Sequence, residues 1–242
     1  MNCNYMKKIN LKFTLLIALM AFGFFAAKAQ TLEETIAKNL PNLGMEKPLN
    51  ELMGTMAQFD LAVGQYPEEW AANYYAAFAK ATVSYVVKEA AQRDMLLDEA
   101  DVYVAKAIEL GANNSETFVV AAMVANARLA VDGQNRWQKY GALFSENLEK
   151  AKALNADNPR IYYLKGTSLF YTPEMFGGGK KVALPFFEQA KPLFAKENKG
   201  SVLIPHWGSE PNDYFISECN KTDEEPIQEE PKGKKEKKKK NE

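Results

Sequence analysis

Histidine and cysteine are nearly missing from this chain, which holds one of the first and two of the second in 242 residues. A single imidazole, His206, excludes any zinc site built on two or more histidines. It is also the one place around which a Ser/His/Asp arrangement would have to form. Set between Pro205 and Trp207, it reads as a packed side chain. Asp98, Glu99 and Asp101 sit where a helical pattern resumes and favour the dipole of its N-terminus, rather than pairing for acid–base work. No enzyme, metal or cofactor is expected on these grounds.

Charge of one sign is also lacking. The formal net charge is −1, and residues 30–221 carry 19 basic and 24 acidic side chains. A body of that sign does not suit nucleic acid or an anionic membrane surface as a partner. Long apolar runs are absent except at residues 13–27, which fall short of the roughly 20 residues a membrane span needs. Lys7, Lys8 and Lys12 precede that run, and Ala27-Lys28-Ala29 follows it as a small-x-small site ahead of Gln30. This is the pattern of a signal peptide over residues 1–29, so the mature protein is expected outside the cytoplasm, periplasmic or extracellular, with no span left after cleavage. Cleavage removes Cys3 and leaves Cys219 alone, which rules out an internal disulfide. A half-buried thiol is the simpler expectation for Cys219, with pairing between chains the alternative.

What is present is helical periodicity. Residues 31–47 begin as a short helix and become an entry segment, taken as 30–48. Residues 49–63 place Leu49, Leu52, Met56, Phe59 and Val63 on one broad face. Pro67 is expected to open the next helix, with a stripe at Trp70, Tyr74, Ala77, Ala81 and Tyr85. Residues 92–97 read as an irregular connection, after which helix resumes at Asp98 and ends at Gly111, a natural left-handed cap. Ser115 is the expected N-cap of the next helix. Residues 132–138 read as a loop before a helix over 142–154. Residues 159–171 and 180–193 form the clearest hairpin, joined by a glycine-rich turn, and one short helix is expected over 213–219.

A triad spaced by four and then three residues recurs on the second helix of each pair: Thr55-Phe59-Ala62, Ala100-Val104-Ala107, Phe144-Leu148-Ala151 and Ala183-Phe187-Ala190. The joint Ala107-Leu110-Ala112-Asn114-Ser115 maps onto Ala151-Leu154-Ala156-Asn158-Pro159 at a constant offset of 44 residues, and Ala190 follows Ala151 by 39. Near-periodicity of this kind marks stacked repeats. With Tyr162, Gly166 and Leu169 on the preceding helix, the best unit resembles a tetratricopeptide repeat, and the resemblance covers residues 49–196. It implies an all-α fold of antiparallel helical hairpins stacked as a short solenoid. The offsets exceed the usual period of about 34 residues, so the loops are expected to carry insertions. A solenoid needs its last apolar face covered, which assigns residues 197–221 as a capping segment. Residues 222–242 are an acidic block followed by lysines, expected to be a disordered tail.

The resemblance also implies a role. In that family the first helices of the hairpins line a concave surface that grips peptides or partner helices. By helical phase the inward side chains are Tyr75, Phe78, Met123, Asn126, Arg160, Tyr163, Thr167 and Phe170. An exported, non-enzymatic module that binds an unknown protein or peptide in the cell envelope is therefore expected. The alternative is a periplasmic small-molecule binder that assists a solute transport system and uses the aromatic groove as a pocket. The turn Gly177-Gly178-Gly179-Lys180-Lys181 is not a phosphate loop. Glu174 stands where the first glycine is required, and Lys181 where the hydroxyl is required.

Overall fold

The computed structural model describes residues 30–111 and 114–221, and the segments expected to be a signal peptide and a disordered tail lie outside the described residues. Within them the fold is all-α, with nine α-helices and no strand. These are α1 (Leu32–Asn39), α2 (Leu49–Gln65), α3 (Trp70–Val86), α4 (Ala90–Gly111), α5 (Ser115–Val131), α6 (Gly133–Leu154), α7 (Pro159–Tyr171), α8 (Lys180–Phe194) and α9 (Ser209–Asn220). They fall into two compact units, Met1–Lys150 with Lys199–Pro205, and Ala151–Asn198 with His206–Glu242.

Local signals explain most helix ends. Thr31 and Glu34 close a reciprocal capping box at α1, each side chain meeting the other's backbone N–H. The α5 cap is Asn114, whose Oδ1 accepts from Glu116 N at 2.9 Å, so the expected cap at Ser115 moves by one residue. Asn158 does the same for α7, accepting from Arg160 N at 3.0 Å with Pro159 at the first helical position. Pro67 does not open α3: Glu69 N donates back to the Tyr66 carbonyl in a turn, and the helix begins at Trp70.

Two expected loops are helix instead. Residues 92–97 belong to α4, which starts at Ala90, and residues 133–138 belong to α6, interrupted only at Asp132. The long repeat offset therefore comes from 22-residue second helices, not from lengthened loops. Gln92, Arg93 and Asp94 lack the apolar periodicity on which the loop reading rested. Tertiary partners supply the missing stabilisation. Arg136 of α6 holds Asp94 of α4 through two bonds of 2.6 and 2.8 Å.

In the first unit α2 packs on α3, α3 on α4 and α5, and α4 on α5. The residues 199–205 lie with these helices, where Tyr75 donates its hydroxyl to the Val202 carbonyl at 2.7 Å. The core is alanine-rich where helices approach, as at Ala76, Ala77, Ala100, Ala107 and Ala122, all fully buried. Gly111 is not left-handed. Its role is close approach, since a β-carbon there would fall 2.6 Å from Cδ1 of Trp70, whose Nε1 donates to Thr117 Oγ1 at 2.7 Å.

In the second unit α8 packs on α7 and on α9. Ala183, Phe187 and Ala190 are all fully buried. The turn between α7 and α8 needs its glycines: Gly177 and Gly179 sit at φ 82° and 100°, a region side chains rarely adopt. Gly179 N donates to the Leu169 carbonyl at 2.9 Å and so ties the start of α8 to the end of α7. Phe215 of α9 stacks on Phe187, centroids 5.1 Å apart and planes 4° from parallel.

Candidate functional site

The eight residues assigned to an inward groove divide between the two units, and none of them is an exposed side chain. In the first unit Tyr75 is fully buried, with its ring against Phe59, Tyr74 and Phe78. Phe78 and Met123 are also buried. Asn126 is half-buried and donates to the Tyr85 hydroxyl at 3.1 Å. Burial pushes that hydroxyl up to about 12, against the opposing pull of the Asn126 bond.

In the second unit Arg160 is fully buried. Its guanidinium grips Glu197 through Nη1 at 2.6 Å and Nη2 at 3.2 Å. The same group lies 5.2 Å from the Trp207 ring and 5.7 Å from that of Phe194. Tyr163 joins Phe187, Phe194, Trp207 and Phe215 in one aromatic cluster. The Thr167 hydroxyl is spent on the Leu164 carbonyl at 2.9 Å, and Phe170 packs edge-on to Phe215. Helical phase finds side chains that turn inward, but it is blind to the segments that cover them. Here residues 199–205 lie over Tyr75 in the first unit, and Trp207 with α9 lies over Tyr163 in the second.

Sequence reasoning missed two features. The first is a cleft of about 350 Å3 between α4, α5 and α6 of the first unit, with Val104, Ala121, Ala125 and Leu143 as its apolar wall. Its polar side is Arg128, which donates to Asp98 at 2.7 Å and to Asp101 at 2.6 Å. Burial works to lower the Arg128 pKa, and the bonds to the two aspartates outweigh it, so the net direction is upward. The signal was present: Asp94, Asp98 and Asp101 recur at four and three residues, one face of a helix.

The second is a set of exposed large apolar side chains on the second unit. Tyr171 is 72% exposed, Met175 83%, Phe176 72% and Tyr214 58%. Tyr171 and Tyr214 both stand edge-on to Phe215, at 6.0 and 5.5 Å and interplanar angles of 90° and 70°. Burial raises the Tyr171 hydroxyl pKa, and neighbouring Tyr214 adds to the effect. The sequence signal was an apolar pair, Met175-Phe176, inside a glycine turn where no core position is available. Lys180 and Lys181 open α8 beside this turn, and Lys180 lies close enough to Cys219 to pull its thiol pKa down against the larger upward effect of burial. Cys219 itself is half-buried, as expected for a lone thiol.

Among the described residues no group of three His, Cys, Asp or Glu side chains is arranged to hold a metal ion. No described helix is long and apolar enough to cross a membrane.

No family model and no curated protein matches the chain. Among solved structures, the HusA haemophore from Porphyromonas gingivalis matches with a TM-score of 0.67 and 33% sequence identity. The match covers 81% of this chain and 94% of that one. Identity at that level over nearly the whole of the other protein does not arise from shared helicity alone. The chain belongs to the family of the HusA haemophore.

Proposed function

We propose that this protein is an exported haem carrier. The single observation that carries the reading is its 33% identity to a haemophore over 94% of that protein's length. Two features of the chain support it. The first is the signal-peptide pattern before Gln30, which suits a protein that meets its ligand outside the cytoplasm. The second is the concentration of aromatic side chains in and on the second unit, since a porphyrin is a flat apolar ring that binds by stacking.

The residues present fit haem chemically. Its ring matches exposed tyrosine and phenylalanine, its carboxylates match lysine, and its iron accepts oxygen, nitrogen or sulfur ligands of the kinds tyrosine, histidine and methionine supply. A carrier rather than a catalyst follows from the poverty of His206 and Cys219 as reacting groups. The helical hairpins are then a tetratricopeptide-like scaffold whose ligand is a small molecule, in keeping with the small-molecule alternative raised by the sequence and at the expense of a purely protein-binding module.

The test is a titration of the mature chain with ferric haem, followed by absorbance in the Soret region and by co-elution of haem with protein on gel filtration. Saturation near one equivalent, with a shifted Soret band, is the expected result. A chain that leaves the haem spectrum unchanged, yet retrieves a defined envelope protein after crosslinking, returns the protein-partner reading to first place.

A further inference from the structure

We propose that the outer face of α4, in the first unit, is a docking strip for a basic amphipathic helix of a partner protein. The strip stands apart from the haem-carrier reading and does not depend on it. Ala91, Met95, Asp98, Val102, Ala105 and Glu109 follow one another along α4 at alternating steps of four and three residues, and all six are exposed. Met95 is 64% exposed and Val102 66%. The core uses another side of the helix, at Leu97, Ala100, Val104 and Ala107. Apolar residues at a mean spacing of 3.5 form the seam by which one helix receives another. A branched valine within a helix costs propensity, so the isolated fold gains nothing from Val102 at an exposed position. Exposed apolar side chains scattered singly need no explanation, but four in register along about 21 Å of helix mark an interaction surface.

Charge selects the partner. The side chains of Asp98, Glu99 and Asp101 edge the strip and are 73%, 56% and 55% exposed, with Asp94 one turn earlier. The cations that pair with them are far more deeply set, the Lys80 side chain at 1% and that of Arg128 at 9%. Arg93 turns away to the Ala130 carbonyl of α5 at 3.1 Å. Carboxylates therefore face outward along the first part of the strip, and Lys106, held by Glu68 and Glu109, follows near its end. A helix with lysine or arginine on both sides of its own apolar seam complements this pattern. The cleft between α4, α5 and α6 shares Asp98 and Asp101 with the strip, so it borders the docked helix and offers an apolar wall to a side chain from its flank. A second copy of the chain is a poor occupant, because a twofold contact on this strip sets its own carboxylates against each other. The lysines of residues 232–240 match the charge but bring no apolar side chain to Met95 and Val102.

The experiment titrates the full mature chain into three fluorescently labelled peptides of three heptads each, followed by anisotropy. One carries leucine at the seam and lysine on both flanks, one has glutamate in place of the lysines, and one is the lysine peptide with its heptad order scrambled. Saturable binding of the lysine peptide is expected, weakened by salt, with residues 91–109 protected from amide exchange. The scrambled peptide is expected to bind at least about tenfold more weakly, and so is the lysine peptide to a Met95→Ser/Val102→Ser double variant. Ala105→Arg, which sets a cation in the seam, is a second variant expected to weaken binding, and circular dichroism checks that both variants melt like the wild type. Binding of the lysine peptide to the double variant within twofold of wild type overturns the strip. Equal binding of the glutamate peptide, or no binding of the lysine peptide to the wild type, overturns it as well. A wild-type dimer in sedimentation that the double variant abolishes would make a second copy the occupant. A chain ending at residue 221 that binds the lysine peptide more than tenfold tighter would make the chain's own lysines the occupant. Either result overturns the partner-helix assignment.

Discussion

Gly166 and Phe187 are a matched pair in the second unit: a β-carbon on Gly166 would fall 2.7 Å from Cε1 of Phe187 and 2.8 Å from Cδ1. The glycine is there so that α7 can close on a phenylalanine that is itself fully buried and stacked on Phe215. Alanine at position 166 would gain helix propensity of about 1 kcal/mol. The ring opposite has no room to withdraw, so overpacking of about 1–3 kcal/mol outweighs that gain. Gly166→Ala is expected to lower the urea midpoint, and Phe187→Ala to cost about 3–5 kcal/mol. A Gly166→Ala variant more stable than wild type would show that the close approach is not constraining.

Lys80 is 1% exposed, and its ammonium meets Asp60 at 3.0 Å and Glu99 at 2.5 Å, with the Tyr103 hydroxyl donating to the other oxygen of Asp60 at 3.0 Å. The carboxylates are partly hydrated, at 32% and 56% exposure, whereas the ammonium is not. Removing the two sides of the network therefore has unequal effects. Lys80→Met replaces a buried charge with an apolar side chain of similar length and is expected to change stability by no more than about 1 kcal/mol. Asp60→Asn with Glu99→Gln strands the ammonium and is expected to cost about 3–5 kcal/mol. Chemical denaturation of both variants decides the order.

Arg136 holds Asp94 well below the usual carboxylate range, chiefly through its hydrogen bonds and then its charge, with burial opposing. A carboxyl whose folded pKa is depressed adds stability that is complete above its unfolded value near 3.9. That contribution is lost as pH falls through the lower folded value. The wild-type chain is therefore expected to lose stability progressively below about pH 4. Arg136→Gln is expected to be less stable at pH 7 and to show a shallower loss in acid. Parallel melts from pH 7 to pH 3 provide the check, and identical slopes would contradict the assignment.

Tyr75 anchors residues 199–205 to α3 through one hydrogen bond to Val202. Tyr75→Phe keeps the ring contacts with Phe59 and Phe78 and removes the bond to Val202, at a cost of about 0.5–1.5 kcal/mol. Faster amide exchange confined to the neighbourhood of residues 199–205 is expected, with the α3 core unchanged. Unchanged exchange there would instead mean that the segment is held by its other tie, the Ser201 hydroxyl donating to Glu33 at 2.7 Å.

Helix content was legible in the chain because apolar residues at helical spacing have few other ways to be buried. The alanine triads marked the buried sides of α4, α6 and α8, and the Asn158-Pro159 pair marked the start of α7 to the residue. The loops expected at 92–97 and 132–138 failed for one reason. Their polar residues lack local periodicity, and the partners that stabilise them as helix, Arg136 for Asp94 among them, are distant in sequence.

The candidate groove was less legible than the scaffold. Helical phase placed Tyr75, Arg160 and Tyr163 on inward faces, and each is buried, but what lies over each of them comes from residues 197–215. A pattern with a period of 3.6 residues reports which side of a helix is covered and carries no information about the covering segment. The sequence by itself determined an all-α chain of hairpins. Only the tertiary structure decided that Glu197 neutralises Arg160, and that Tyr171 and Tyr214 share Phe215 as a base. Those relationships join residues 37 and more than 40 positions apart, and only the packed chain brings them into contact.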